Sequence, residues 1–100
     1  MADAFEVELT RAAFGHLEDQ RRYDRNAILD AIKEQLTHTP TAETFNRKLL
    51  RESALADWEL RVGRFRVFYD VDIPGRLVRI LAVGVKEGNK LMIGGKEVIL

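Results

Sequence analysis

The sequence predicts an α+β fold in which an N-terminal strand and a two-helix hairpin pack on a mainly antiparallel sheet. Three observations lead to this prediction. Apolar residues recur every three or four positions between residues 11 and 36, as in amphipathic helices. From residue 58 onward they alternate with polar residues, as in strands. The chain has 100 residues, 46% of them hydrophobic, which suits one domain spanning residues 1–100.

The first part of the chain predicts one strand and two helices. Residues 5–9 alternate apolar and acidic side chains, which is typical of a strand with one buried face. Thr10 is a favoured N-cap for a helix over residues 11–20. Asp24 is placed to cap a second helix, which ends before Pro40 because proline disfavours a helical residue ahead of it.

The second part predicts the sheet. Residues 41–55 look irregular, with a helical turn expected over residues 45–50. The segment WELRVGRFRVFYDVD alternates on both sides of Gly63, which predicts a tight hairpin. Residues 77–83 are nearly all apolar, as in a strand buried on both faces. The residues expected to point into the core are Trp58, Leu60, Phe65, Val67 and Tyr69.

Turn signals divide the rest of the chain. Pro74-Gly75 is a strong turn signal before the apolar strand, and the segment 86–90 after it is polar and reads as a loop. The tail LMIGGKEVIL predicts a last short hairpin around Gly94-Gly95. The sheet is expected to bury one face against the helices and to leave the other for solvent or a partner.

Composition limits the function classes. The chain has no cysteine, so it has neither a disulfide framework nor a thiolate metal site. We expect a cytoplasmic protein, because the N-terminus lacks the features of a signal peptide and no apolar run approaches the ~20 residues that span a bilayer. The formal net charge is zero, which argues against non-specific nucleic-acid binding. Residues 61–90, however, carry seven basic residues against three acidic ones.

The basic residues of this segment are the main indication of function. Arg61, Arg64 and Arg66 fall within six residues on predicted strands, and Lys86 and Lys90 follow the apolar strand. If the strands pair as predicted, these side chains converge at one end of the sheet. Since the planar guanidinium fork matches phosphate and carboxylate groups, the cluster predicts a surface for an anionic ligand.

Simpler interpretations stand beside this one. In the alternative interpretation each arginine forms a surface ion pair with Glu59, Asp70 or Glu87. Composition alone favours this interpretation, or a site for an acidic partner, over catalysis. His16 and His38 fall in the helical region, where we interpret them as a helix-surface and a helix-end residue. Neither belongs to a convincing metal or triad pattern.

The element order, together with WELRVGRFRVFYDVD and ILAVGVKEGNK, resembles the RelE/ParE superfamily of type II toxins over nearly the whole chain. RelE-type members of that superfamily cleave mRNA in the ribosomal A site without a metal, and ParE-type members act on DNA gyrase. Both types are neutralised by an antitoxin. The resemblance therefore implies a toxin that needs no cofactor and that binds a cognate antitoxin protein, with the ribosome and mRNA, or gyrase, as its target.

The resemblance also implies roles for individual residues. By position, Arg61 and Arg66 would grip the phosphate and stabilise its developing charge, and Lys86 would offset charge on the phosphate or the leaving group. Arg64 and Lys90 would contact flanking RNA. The favoured function is that of a ribosome-dependent mRNA endonuclease that inhibits translation.

Two features depart from the RelE-type pattern. Glu59 stands where such enzymes often carry a second lysine, and Met92 or Ile93 stands where a late catalytic tyrosine is expected. The tyrosines of the chain, Tyr23 and Tyr69, fall in a helix linker and a strand instead. These departures keep two alternatives open: a gyrase inhibitor, which is not an enzyme, and an inactive binding module with the toxin fold.

Overall fold

The computed structural model describes residues 4–100 and shows two helices beside a seven-stranded sheet. Residues 1–3, where the predicted signal-free N-terminus begins, lie outside the described residues. In chain order the elements are β1 (Glu6–Leu9), α1 (Arg11–Glu18), α2 (Arg22–Leu36), β2 (Arg47–Leu49), β3 (Trp58–Val62), β4 (Phe65–Asp72), β5 (Leu77–Glu87), β6 (Lys90–Ile93) and β7 (Lys96–Val98). The predicted final hairpin is confirmed as β6–β7.

The sheet places β2, β3, β4, β5, β6 and β7 side by side, and every neighbouring pair along this path is antiparallel. β1 pairs in parallel with the first part of β5, from Leu77 to Ile80. β6 pairs with the last part of β5, from Val85 to Glu87. The predicted α+β class with a mainly antiparallel sheet is confirmed. No helix within residues 4–100 is long and apolar enough to cross a bilayer.

The main core lies between the helices and one face of the sheet. Helix α2 contributes Ile28, Ile32 and Leu36, whose spacing of four places them on one stripe. β1 contributes less than predicted, since Val7 remains 36% exposed. The five strand residues predicted to point inward are confirmed as core: Trp58, Leu60, Phe65, Val67 and Tyr69.

The start of α1 agrees with the prediction, and the start of α2 does not. Thr10 caps α1, because its Oγ1 accepts a hydrogen bond from the Ala13 N–H at 3.2 Å. α2 begins at Arg22, so the prediction that Asp24 is its N-cap is wrong. Asp24 lies instead in the first turn, where a carboxylate complements the helix dipole. The Arg21 guanidinium approaches it to 3.4 Å.

The segment before β3 joins the sheet. The predicted helical turn over residues 45–50 is wrong, because β2 pairs there with β3 at the edge of the sheet. Arg47 fixes this arrangement from the core side. Its buried guanidinium donates to the Gln35 carbonyl at 2.7 Å and to the Ala42 carbonyl at 2.9 Å. These bonds tie β2 to the C-terminal end of α2.

A β-bulge interrupts the ladder between β4 and β5. Phe68 lies opposite Ala82, whereas the next residue, Tyr69, lies opposite Ile80. Leu81 is therefore the extra residue on β5. Such an insertion changes which face of the sheet each later side chain occupies, because side chains alternate with a period of two.

The bulge decides the orientation of the second half of β5. Val78 and Ile80 precede it and belong to the main core, and Val83 follows it and belongs to the same core. β5 also continues to Glu87, because β6 pairs with its end. The prediction that Lys86 lies in a loop is thus wrong, since Lys86 lies on a strand, on the face away from the helices.

On the edge away from β4, β5 pairs with β1 up to Ile80 and with β6 from Val85 onward. The residues Leu81–Gly84 lie between these two paired stretches. Two side chains from the start of the helix hairpin bind this stretch of backbone. The Thr10 hydroxyl donates to the Leu81 carbonyl at 3.3 Å. The Val83 N–H donates to Nδ1 of His16 at 3.2 Å, which places the imidazole proton on Nε2. His16 therefore connects α1 to β5 and is not simply the helix-surface residue that the sequence predicts.

Gly84 allows β6 to approach β5 closely. A Cβ at this position would lie 2.9 Å from the Met92 carbonyl oxygen and 2.8 Å from Cγ1 of Ile93. We expect Gly84→Ala to reduce the free energy of unfolding by about 1–3 kcal/mol, as overpacking does elsewhere. Gly15→Ala is the control, because nothing lies within 4 Å of its Cβ and it should stabilise α1. Urea denaturation of both variants measures this, and equal effects would contradict the account of Gly84.

His16→Ala tests the bond across β5. The substitution leaves the buried Val83 N–H without its acceptor, which should cost about 1–3 kcal/mol. Hydrogen exchange at the Val83 amide should accelerate along with the loss of stability. His38→Ala removes an exposed imidazole and should change stability by less than about 0.5 kcal/mol. An unchanged Val83 exchange rate in His16→Ala would contradict the role of His16.

Candidate functional site

The face of the sheet away from the helices carries an open cleft of about 620 Å³, called the cleft below. A second buried cluster, which includes Phe68 and Ala82 of the two central strands, supports the sheet on this side. Leu91 belongs to that cluster and also lines the cleft. The basic lining residues are Lys48, Arg51, Arg61, Arg66 and Lys86, and the acidic ones are Glu43, Glu59 and Glu97. The excess of basic over acidic residues favours an anionic ligand.

Three of the five predicted site residues meet in the cleft. Arg61 on β3 and Arg66 on β4 lie directly opposite each other in the ladder. Gly84 lies opposite Arg66 on β5, and Lys86 is two residues further along the same face. The predicted convergence of these three side chains at one end of the sheet therefore holds.

Arg64 and Lys90 do not line the cleft. Arg64 lies in the turn after Gly63, so the prediction that it falls on a strand is wrong. Its guanidinium lies 4.9 Å from the centre of the Phe65 ring and 4.0 Å from Asp24 of α2, which is the helix side of the sheet.

Lys90 is the first residue of β6 and pairs with Glu87, the residue after Lys86. Since side chains alternate along a strand, Lys90 and Lys86 lie on opposite faces of the sheet. The Lys90 side chain is exposed on the sheet face opposite the cleft. The contacts that the sequence predicts between flanking RNA and both Arg64 and Lys90 remain predictions.

Glu59 lies at the centre of the charge arrangement. Only 7% of its surface is exposed, and its Oε2 lies 3.3 Å from Nε of Arg61 and 3.6 Å from Nε of Arg66. Lys48 lies opposite it in the β2–β3 ladder. Like charges that face each other across a ladder repel, and the Glu59 carboxylate offsets that repulsion between the two arginines. The alternative interpretation, in which arginines pair with Glu59, is thus confirmed for Arg61 and Arg66.

Arg61, Arg66 and Lys86 differ in how many of their N–H groups already have partners and so in how many remain to bind a ligand. The Arg66 Nη1 donates to the Gly63 carbonyl at 2.8 Å and to the Phe65 carbonyl at 2.9 Å, and the side chain is 17% exposed. Arg66 therefore mainly stabilises the β3–β4 hairpin. Arg61 is 40% exposed, and among residues 4–100 only its Nε has a side-chain partner. Within residues 4–100, Lys86 has no carboxylate within 4.0 Å, so it and Arg61 are the more available cations.

The ionisable side chains of the cleft are those of glutamate, lysine and arginine. Neither histidine lines it within the described part of the chain, nor does either tyrosine. Tyr69 lies in the main core, where its hydroxyl donates to the Pro40 carbonyl at 2.7 Å, and Tyr23 is exposed on α2. Among residues 4–100 no group of three or more histidines or carboxylates is placed to hold a metal ion. The cleft can bind an anion and stabilise negative charge through its basic side chains.

Lys48 and Arg51 are the basic lining residues that sequence reasoning missed. Lys48 lies in β2, which has three residues and so shows no measurable alternation, and Arg51 follows this strand. The usable signal was the basic character of NRKLLR itself, which matches the cluster on β3 and β4.

Tyr69→Phe tests the core position of the phenol. Burial raises the pKa of Tyr69, so the unfolded chain loses the phenolic proton at a lower pH than the folded chain does. The wild type should therefore lose stability as the pH rises above about 10, by up to about 1.4 kcal/mol per pH unit. Below pH 10 the variant should be about 1 kcal/mol less stable, because the bond to Pro40 is gone.

Denaturation midpoints of both proteins between pH 8 and pH 11 measure this difference. The gap between wild type and Tyr69→Phe should narrow and then reverse as the pH rises. Tyr23→Phe is the control, because Tyr23 is 80% exposed. Parallel curves for wild type and Tyr69→Phe would contradict the assignment.

Comparison with known proteins places this geometry among toxins. The model of the family described as ParE toxin of the type II toxin–antitoxin system, parDE, matches residues 7–88. The toxin–antitoxin complex RelBE2 from Mycobacterium tuberculosis contains a similar chain, with a TM-score of 0.74 and 22% identity over 86% of this chain and 95% of that one.

A second similar chain belongs to the archaeal RelE–RelB complex from Pyrococcus horikoshii OT3. Its TM-score is 0.63 and its identity 20%, over 86% of this chain and 98% of that one. No curated protein sequence matches. At these identities the two structures support the fold, and the family match extends over more than half of the chain.

Proposed function

We propose that this chain, which belongs to the ParE toxin family of type II toxin–antitoxin systems, is a ribosome-dependent endonuclease that cleaves mRNA in the cytoplasm. The observation that supports this activity most is the meeting of Arg61, Arg66 and Lys86 in one concave cleft. An RNA phosphate is the anion that such a row of cations on rigid strands would hold.

The chemistry assigned to the cleft is charge stabilisation. In RNA cleavage the 2′-hydroxyl loses its proton and attacks the adjacent phosphorus, the bond to the 5′-oxygen breaks, and that oxygen takes up a proton. The products are a 2′,3′-cyclic phosphate and a 5′-hydroxyl. The free Nη edge of Arg61 would take the non-bridging oxygens as their charge rises, and Lys86 would offset charge on the departing oxygen. Arg66 would hold the hairpin that carries Arg61 and add to the positive potential.

The lining of the cleft is compatible with dependence on the ribosome. Its basic side chains would hold the phosphate, and we assign the alignment of the 2′-hydroxyl to the ribosome that holds the mRNA. The toxin would then supply the cations. The free energy of mRNA binding to the ribosome would offset the entropy lost when the RNA is ordered.

A cognate antitoxin is the expected partner. Both similar structures are toxin–antitoxin complexes, and the cleft of this chain offers cations beside apolar residues such as Leu50 and Val98. A segment of the antitoxin with acidic and apolar side chains would fit this lining and would cover Arg61 and Lys86. Binding of this kind would block the access of RNA.

Inhibition of DNA gyrase is the second candidate function. Glu59 favours it, because it neutralises part of the charge on both arginines that a nuclease would use. In that case the cleft residues would contact a protein rather than an RNA phosphate. Supercoiling by purified gyrase in the presence of the toxin separates the two: inhibition without mRNA cleavage would favour the gyrase target.

Lys86→Ala is the sharpest test of the nuclease function, because the Lys86 ammonium has no ion-pair partner among residues 4–100 that its removal would disturb. We expect cleavage of translated mRNA, measured by primer extension after induction, to fall about 10- to 100-fold, as for other losses of transition-state charge stabilisation. Lys33→Ala, which removes an exposed charge from α2, should leave cleavage unchanged.

Full cleavage by Lys86→Ala would contradict the assigned role. Arg66→Ala should also lose activity, but it removes two hydrogen bonds of the β3–β4 hairpin at the same time. A thermal denaturation curve is therefore needed to separate a loss of activity from a loss of stability in Arg66→Ala. Lys86→Ala needs this control less.

A further inference from the structure

Glu59 is placed as an internal anion in a site that would otherwise bind an external one. Its carboxylate is buried at the floor of the cleft, within 3.3 Å of the Arg61 Nε and 3.6 Å of the Arg66 Nε. Lys48 lies opposite it on β2. A carboxylate and a phosphate compete for the same guanidinium edges, because both offer paired oxygens to paired N–H groups.

The two arginines are blocked to different degrees. On Arg66 both Nε and Nη1 have partners, so either bidentate edge of the guanidinium includes a nitrogen already in use. On Arg61 the Nε edge is in use, and the edge formed by the two Nη atoms has no partner among residues 4–100. A phosphate therefore gains one bidentate contact at Arg61 while it lies close to the negative charge of Glu59.

We propose that Glu59 is the specificity-determining residue of the cleft: it excludes single phosphates and admits only a ligand with several phosphates in a row. This rests on the proposed function and narrows its substrate to an extended RNA strand. A lone phosphate meets the repulsion of Glu59 and gains a bidentate contact only from Arg61, while Arg66 adds its charge without a free bidentate edge. A strand places further phosphates near Lys86 and near Lys48, and these contacts offset the repulsion.

The test uses two probes, inorganic phosphate and a single-stranded oligonucleotide that carries 2′-deoxyribose and so is not cleaved. Glu59→Gln keeps the shape of the side chain and removes its charge. Glu97→Gln is the matched control, because Glu97 lines the same cleft and has no arginine partner in the described part of the chain. Removing a charge this close to the ligand should tighten phosphate binding about tenfold in Glu59→Gln, and less than about twofold in Glu97→Gln.

The Arg61 Nε–H resonance gives a readout that a purely structural role would not move. In Glu59→Gln this signal should shift as inorganic phosphate is added, and in the wild type it should shift with the oligonucleotide but not with phosphate. Glu59→Asp keeps the charge on a shorter side chain and should bind phosphate with intermediate affinity. It also serves as the second variant if Glu59→Gln folds poorly.

The outcomes separate the two proposals. Equal phosphate affinity in Glu59→Gln and Glu97→Gln, with the oligonucleotide bound by the wild type, overturns the role of Glu59 and leaves the RNA target standing. Tighter phosphate binding in Glu59→Gln, with no oligonucleotide bound by any variant, overturns the admission of a strand with several phosphates, and the mRNA target then rests on the primer-extension test of Lys86→Ala. Tight phosphate binding by the wild type overturns the exclusion of single phosphates.

Discussion

Strand β5 forms hydrogen bonds with three neighbouring strands, and the rest of the structure depends on how it pairs with all of them. It pairs with β4 along one edge and shares its other edge between β1 and β6. A single alternating strand would keep one set of side chains on the helix side throughout. The extra residue at Leu81 changes this phase in the middle of the strand, so that Val83 enters the same core as Ile80. The backbone exposed by the change is bound by Thr10 and His16 from the helix hairpin.

The phase change also forms the site. Without the bulge, the alternation that places Val78 and Ile80 on the helices would place Gly84 and Lys86 there as well. With it, Lys86 lies in the cleft beside Arg61 and Arg66. Since β5 carries Val83 as well as Lys86, changes on the helix side at His16 act on the same strand that carries Lys86. Fold and candidate function thus share one structural cause.

The parts of the fold that follow from periodicity were predictable, and those that follow from long-range pairing were not. The alternation in β3 and β4 predicts their inward residues correctly, and Gly63 predicts their turn. A run such as residues 77–83 is apolar on both faces, so no pattern in it shows where a bulge reverses the phase. β2 is too short to alternate and joins the sheet through β3 and Arg47. In the same way, the meeting of Arg61, Arg66 and Lys86 could be predicted, whereas the separation of Arg64 from them depends on how the turn is placed.

Glu59 connects the stability of the cleft to its selectivity. The ladder places Arg61 opposite Arg66, and two facing cations on adjacent strands need an anion nearby if the sheet is to stay paired. A ligand phosphate could fill that role only in the complex, so a free toxin with such a pair requires its own carboxylate. Once that carboxylate is buried between the arginines, a ligand binds only if its contacts outweigh the arginine–Glu59 interactions that it weakens. The residue that departs from the RelE-type pattern is therefore compatible with an anion site, and it raises the number of phosphates that a ligand must bring.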